Sequence, residues 1–417
     1  MLVRVIIWTC CTLFICGFTL AQKSTDMVSD QTDSSYGETL SIVRNIVITG
    51  NKRTKIYIVE REVAFEKGKT YLMKDLRSRI ALTKEQLINT SLFVNVSVLL
   101  KEIDKGVVDI IIDVKERWYL FPIPYFKVTD RNWNEWIDVH DASLSRVNYG
   151  IKGSHTNLSG RNDRLNLWLI NGHTQQVSFN YTLPYFDSKL RQGIFFGVQY
   201  ARSREVNYAT DSDTLKFLKL PDFARSFISA QVGYSYRRGS KERHNIRLNY
   251  SSEKVDSAVV KLNHDFLGEG HSKENYVDLS YTFQYFNVDY IIYPLRGWYV
   301  DVYATKRFNK TLNMFSIGGK YLSTWKLFPD SYFMLQLVGM IKFPFNQPYY
   351  NSHLLGYGDL SMRGLENLVV DGAAGACIKG TFRKKLLGFG LKNYIKPQKN
   401  NRIPFTVYGK AYSDLGY

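Results

Sequence analysis

Cysteine is nearly absent where it could do structural work. Of four cysteines in 417 residues, Cys10, Cys11 and Cys16 lie in an apolar N-terminal run, and Cys377 alone lies beyond it. Once that run is removed, neither an internal disulfide nor a cysteine-based metal site can form. Histidine is also thin, with seven scattered along the chain. There is no G-x-S-x-G elbow, no H-E-x-x-H pair and no phosphate loop, so nothing nominates a nucleophile with its base; neither catalysis nor a cofactor or metal is expected. Positive charge is in excess, at a formal +17, but it is spread without a polybasic tract. A nucleic-acid groove therefore has no motif behind it and no nucleic-acid partner is expected, whereas anionic lipid headgroups suit such a field.

What the chain has in quantity is aromatic residues, 15% of the total with 29 Tyr and 25 Phe. Tyr and Trp suit surfaces with one apolar and one wet side, such as membrane interface belts. At the N-terminus Arg4 precedes an apolar run from Val5 to Leu20, and Thr19-Leu20-Ala21 offers small residues at the cleavage-determining positions. Residues 1–21 read as a secretory signal peptide, because the run is short for a span. The polar, Ser-rich stretch that follows, 22–40, reads as a flexible leader.

Residues 41–117 carry mixed periodicity. "RNIVITGNKRTK" is a strand ending in a Gly-Asn turn, after which Thr54 is placed to cap a helix whose Ile56, Val59 and Val63 share a face. Leu72, Leu76, Ile80 and Leu87 then repeat at helical spacing. The period next changes to two, with Val94, Val96 and Val98 expected on one side of a strand and Val108, Ile110, Ile112 and Val114 on one side of the next, around a turn at Gly106. This βααββ order predicts a small α+β unit with helices on one sheet face. The phrases "ITGNKRT", "NTSLFVNVSV" and "DVKE", in that order and spacing, resemble a POTRA (polypeptide-transport-associated) domain.

From Trp118 to Tyr417 alternation takes over. In "NYVDLSYTFQYF", Val277, Leu279, Tyr281, Phe283 and Tyr285 share one face and Asp278, Ser280, Thr282 and Gln284 the other. Similar segments of about ten residues predict an antiparallel transmembrane β-barrel with a greasy outside and a wet lumen. An open sheet in lipid would strand backbone donors and acceptors, so the sheet is expected to close. Connection lengths sort by side. The long ones (127–144, 203–226, 252–273 and 344–372) fall on the outer side, and "SGRND", "FDSKLR", "RGSKER" and "FPDS" on the inner side, as outer-membrane barrels have them. Residues 388–402 break the rule as a long inner turn, and Asn171-Gly172 reads as a tight outer hairpin.

The longest outer connection contains "MRGLE". A signal peptide, a single POTRA-like domain, a bacterial surface antigen type barrel and this motif in the sixth outer loop together resemble the BamA/TamA family of outer-membrane assembly and translocation proteins. In that family the sixth loop folds back into the barrel, and its Arg-Gly pair meets an acidic residue on the thirteenth strand within an aromatic-x-Asp-x-Gly pattern. Here that pattern is "YSDLG". The resemblance implies a lumenal lock made by Arg363, Gly364 and Asp414, supported by Met362, Leu365, Tyr412 and Gly416.

The alternation agrees at one point: if Phe405, Val407 and Ala411 face lipid, then Tyr408, Lys410, Tyr412 and Asp414 face the lumen. The other reading leaves Arg363 solvated and pairs Asp414 with Lys410 or water. On the preceding, twelfth strand Cys377, Lys379 and Arg383 are expected to point inward, which leaves a second acidic partner for Arg363 unassigned. About thirteen strands can be counted against the sixteen usual for the family, so the sequence reads as a barrel cut short at its C-terminus. The resemblance implies a non-enzymatic protein of the bacterial outer membrane with its N-terminal domain in the periplasm. It would assist assembly or insertion of outer-membrane proteins or translocate polypeptides; the alternatives are a porin-like passive channel or a two-partner-secretion-type exporter. Implied partners are unfolded outer-membrane protein clients, outer-membrane lipid or lipopolysaccharide, and periplasmic accessory subunits.

Overall fold

The computed structural model describes residues 39–128, 137, 141–187, 189–310, 313–365, 368–392 and 402–417. The signal peptide, nearly all of the leader and much of the 127–144 loop lie outside the described residues.

The N-terminal unit runs β1 (Leu40–Thr49), α1 (Ile56–Glu60), β2 (Thr70–Leu72), α2 (Met73–Asn89), β3 (Phe93–Asp104) and β4 (Val107–Glu116), with sheet order β2-β1-β4-β3. β1 and β4 pair in parallel; the outer pairs are antiparallel. Val108, Ile110, Ile112 and Val114 are all buried against Ile58, Val59, Leu76 and Leu87 of the helices, so strict alternation gave the core face of β4 correctly.

Four local expectations change. Lys55, not Thr54, occupies the cap position of α1 and makes no side-chain cap. Thr54 instead binds the Tyr119 hydroxyl at 3.0 Å and Asn157 at 2.9 Å, so tertiary partners outcompete the local one. Ile56 is half exposed while Ile58 and Val59 are buried, because α1 is barely one turn long. Leu72 belongs to a short strand that pairs with Leu40, and α2 starts after it. Finally, the register of β3 shifts between Phe93 and Asn95, a bulge that turns Val94 outward and puts Phe93 in the core beside Val96.

The remaining strands are β5 (Leu120–Val128), β6 (Val147–Thr156), β7 (Arg164–Gly172), β8 (Thr174–Leu183), β9 (Gln192–Ser203), β10 (Glu205–Asp211) and β11 (Thr214–Lys219). They continue as β12 (Arg225–Tyr236), β13 (Glu242–Val255), β14 (Lys273–Val288), β15 (Gly297–Phe308), β16 (Phe315–Phe328) and β17 (Ser331–Phe343). The last four are β18 (His353–Leu355), β19 (Val370–Asp371), β20 (Ala374–Lys392) and β21 (Arg402–Gly416). Thirteen of them form one antiparallel sheet from β5 to β21, with β10–β11 and β18–β19 as separate pairs in the loops. Its two edges, β5 and β21, are not paired to each other among the described residues, so the closure expected from sequence is not seen. No described helix is long and apolar enough to cross a membrane.

Cross-strand rows show why this sheet has a lipid face and a wet face. One row aligns Tyr285, Val300, Tyr321, Leu337, Ile378 and Leu415 across six strands. Another, on the other face, aligns Asn166, Asn180, Gly197, Gln231, Asn249, Asp278 and Arg307. The first would be costly in water and the second costly in lipid, so the two solvents fix the register.

The N-terminal unit sits against the turns expected on the inner side. Lys55 N–H donates to Gly160 O at 3.0 Å, Arg61 reaches Leu190 O, and Gln86 reaches Ser240 at 2.9 Å. At the other end the long loops share a small core of Val206, Ala224, Val255, Val259, Phe266 and Leu267. The 203–226 loop carries the β10–β11 hairpin, whose Ser212 and Asp213 both have positive φ, as a two-residue type I′ turn needs. Two turn expectations are corrected. The Asn171-Gly172 hairpin is wider than two residues, since the last β7–β8 pair is Ile170 with Gln176 and Gly172 pairs back to Asn148 of β6. The β20–β21 ladder continues to Lys392 and Arg402, so the described ends of the 388–402 stretch are strand, and 393–401 lie outside the described residues.

Candidate functional site

The 344–372 loop folds along the lumenal wall because that wall offers it charged anchors and an apolar seat. Its elements are a short helix (Tyr349–Ser352), β18, a 3-10 turn (Gly358–Leu360) and β19. Arg307 of β15, forked onto Asp278 of β14 at 2.7 and 2.9 Å, also donates to the Tyr350 hydroxyl at 3.1 Å and Asn351 Oδ1 at 2.8 Å. Lys342 Nζ of β17 donates to His353 O at 2.9 Å, Lys320 Nζ of β16 meets Asp359 at 3.0 Å, and Lys379 Nζ of β20 caps Ser361 O. Beneath them Leu354, Leu355 and Leu360 pack on Val338 and Cys377, whose side chains face inward between the charged positions.

The turn that follows presents Arg363. Gly364 has φ +82°, a left-handed conformation that a side chain would strain although open space surrounds it. Arg363 Nε donates to Asp414 Oδ2 at 2.9 Å, its main-chain N–H donates to the same oxygen at 2.9 Å, and Nη2 reaches Asp414 Oδ1. Nη1, the other arm of the fork, donates to Thr381 Oγ1 at 2.8 Å, and Nη2 also donates to Gly380 O at 3.3 Å. The guanidinium carbon lies 4.4 Å from the Tyr412 ring centroid. Asp414 is 3% exposed at its side chain and Arg363 34%, so the carboxylate has left water while the guanidinium keeps part of its hydration.

Register explains the meeting: Lys379 pairs with Asp414 and Thr381 with Tyr412, which places all four on the lumenal face. Met362 and Gly416 also meet, since a Cβ on Gly416 would lie 2.6 Å from the Met362 sulfur. Leu365 is half exposed. Lys410, the other candidate partner for Asp414, lies 5.1 Å from the Tyr293 ring instead. The second partner of Arg363 is thus a hydroxyl, not an acid. Thr381 carries no charge to mark it in the sequence; its place between inward Lys379 and Arg383 is the signal that points to it.

A second constellation had no sequence signal. Glu62, 1% exposed, accepts both arms of the Arg237 fork at 2.7 and 3.0 Å, and Arg237 also reaches the Tyr185 hydroxyl. Burial alone would lower the Arg237 pKa; the Glu62 carboxylate and the Tyr185 hydroxyl more than offset it and hold the group above its ordinary value. Tyr119, beside Thr54 at the same junction, has its hydroxyl pushed up to about 12, chiefly by burial. β3 is an edge strand of the N-terminal sheet with no described strand paired to its outer side, and its Val94, Leu99 and Ile103 are 46%, 57% and 40% exposed.

The Omp85 superfamily domain matches residues 157–367, and a POTRA family, the surface antigen variable number repeat, matches residues 41–117. Among solved structures, CdiB from Escherichia coli is 10% identical and covers 90% of this chain and 70% of its own, with a TM-score of 0.50. BamA from Haemophilus ducreyi lacking POTRA domains 1–3 is 17% identical and covers 90% of this chain and 72% of its own, with a TM-score of 0.47. No curated protein matches the sequence.

Proposed function

The chain belongs to the Omp85 superfamily, and from that premise we propose that it is a non-enzymatic protein of the bacterial outer membrane that inserts or exports other polypeptides. Its N-terminal unit lies in the periplasm. The outer edge of β3 receives an unfolded client by β-augmentation, since a row of free main-chain donors and acceptors pairs with any extended chain. The outward rows contact outer-membrane lipid or lipopolysaccharide, and accessory subunits can bind the periplasmic unit.

The observation that carries this reading is the combination of a sheet edge with no described partner strand and a lumen wall covered by the chain's own sixth loop. A passive channel needs an open bore, whereas here the 344–372 loop lies along the wall and is tied to β15, β16, β17, β20 and β21. Arg363, Gly364 and Asp414 brace that loop, with Thr381 and the Tyr412 ring completing the seat. Depleting the protein tests the reading: other barrels should disappear from the outer membrane, or an exported polypeptide should accumulate in the periplasm. Loss of small-solute uptake alone would refute it.

A further inference from the structure

Where the N-terminal unit meets the barrel, a cavity of about 640 Å³ opens between α2 and the inner end of the lumen wall. That volume suits a drug-sized ligand or a few residues of an extended chain. Its lining is mixed in charge with cations in excess: Glu85 of α2 and Asp289 of the β14–β15 turn stand against Arg164, Arg237, Lys241, Arg243 and Arg296 of the barrel. Two of these cations are already committed, Arg237 to Glu62 and Lys241 to Asn287 Oδ1 at 2.6 Å.

Arg243 is not. Its Nε is shut off from solvent and no described residue accepts from it, which leaves a donor that has lost its water without a replacement. Its guanidinium carbon lies 4.9 Å from the ring centroid of Phe286, and Arg247, four residues along the same inward row of β13, lies 5.1 Å from that of Phe195. Both rings line the cavity. The wall therefore sets Arg243 beside the apolar faces of Phe195 and Phe286, with Arg247 behind the Phe195 ring. A phosphate ion would use the cations and leave the rings idle; a chain with carboxylates between apolar side chains would use both.

We infer that this cavity is a docking site for an extended acidic segment of polypeptide, with a carboxylate received by Arg243 and the flanking apolar side chains by Phe195 and Phe286. The inference rests on the reading that the protein handles unfolded polypeptides, and names the kind of segment it takes.

The test uses the full chain in detergent micelles and two fluorescent peptides, one alternating Glu with Phe and a twin with Gln for every Glu. The Glu peptide should bind at least about tenfold more tightly, and added salt should shrink the difference. In Arg243→Gln the preference should vanish while affinity for the Gln peptide stays unchanged. Arg243→Lys, which keeps the charge and loses the fork, should retain part of the preference and covers the case that the first variant does not fold. Equal affinity of the two peptides for the unaltered protein, or a preference that survives Arg243→Gln, would overturn the site alone. Displacement of the Glu peptide by inorganic phosphate as readily as by the unlabelled peptide would overturn it too. Binding of neither peptide would sink the client-handling reading with it.

Discussion

Arg363 grips Asp414 three times, through Nε, through Nη2 and through its own main-chain N–H, across 51 residues of sequence. The side-chain fork could be reproduced by an arginine elsewhere on the loop. The main-chain bond cannot, because it fixes the backbone of the turn at the lumen wall. The pair therefore sets the position of the loop, and the charge makes the position costly to leave.

Replacing Arg363 by Ala strands the Asp414 carboxylate in the wall. Breaking a buried pair costs about 3–5 kcal/mol, and the partial wetting of Arg363 argues for the lower end. Heat-modifiability on gels should shift to lower temperature and client assembly should fall, while the N-terminal unit stays folded. Arg363→Lys should recover little, since an ammonium cannot reach Asp414 and Thr381 together.

Glu62 and Arg237 tie the N-terminal unit to the barrel rim. Glu62→Gln leaves Arg237 buried without its counter-charge, so limited proteolysis near Arg117 should speed up although barrel heat-modifiability is unchanged. Equal proteolysis rates would mean that the unit is held by its other contacts.

The β3 edge predicts the opposite kind of phenotype. Leu99 is exposed, so Leu99→Lys should change stability by no more than about 0.5 kcal/mol. A charge on an edge strand discourages a further strand from pairing. Binding of an extended client peptide should therefore weaken while thermal unfolding stays in place.

These residues also mark what was legible beforehand. The face of β4 could be read from alternation because the same four side chains both define the period and fill the core. β3 could not, since its bulge leaves no trace in "FVNVSV" and is set by pairing with β4. Arg363 and Asp414 were found through a motif and a parity argument, both of which survive in one dimension. Glu62 and Arg237 were invisible because 175 residues separate them and each sits among other charges. Only the packing of α1 on an inner turn brings them together.

Acid should loosen the outer end of the loop. His353, stacked on Tyr357 and bonded to Asp371 at 3.1 Å, is held below its ordinary value chiefly by burial, with Asp371 opposing the shift. A base with a lowered folded pKa binds fewer protons folded than unfolded, so stability declines as pH falls below about 6.5. Protease sensitivity of the 344–372 loop should rise through that window, and His353→Gln should flatten the dependence.

A double-mutant cycle on Arg363 and Asp414, read by thermal unfolding of the barrel in micelles, tests the central claim most directly. If the two side chains act as one contact, Arg363→Ala with Asp414→Ala together should cost little more than the worse single change, a coupling of about 1–3 kcal/mol. Losses that simply add would show that the arginine and the aspartate do not hold the loop together, and would contradict the account.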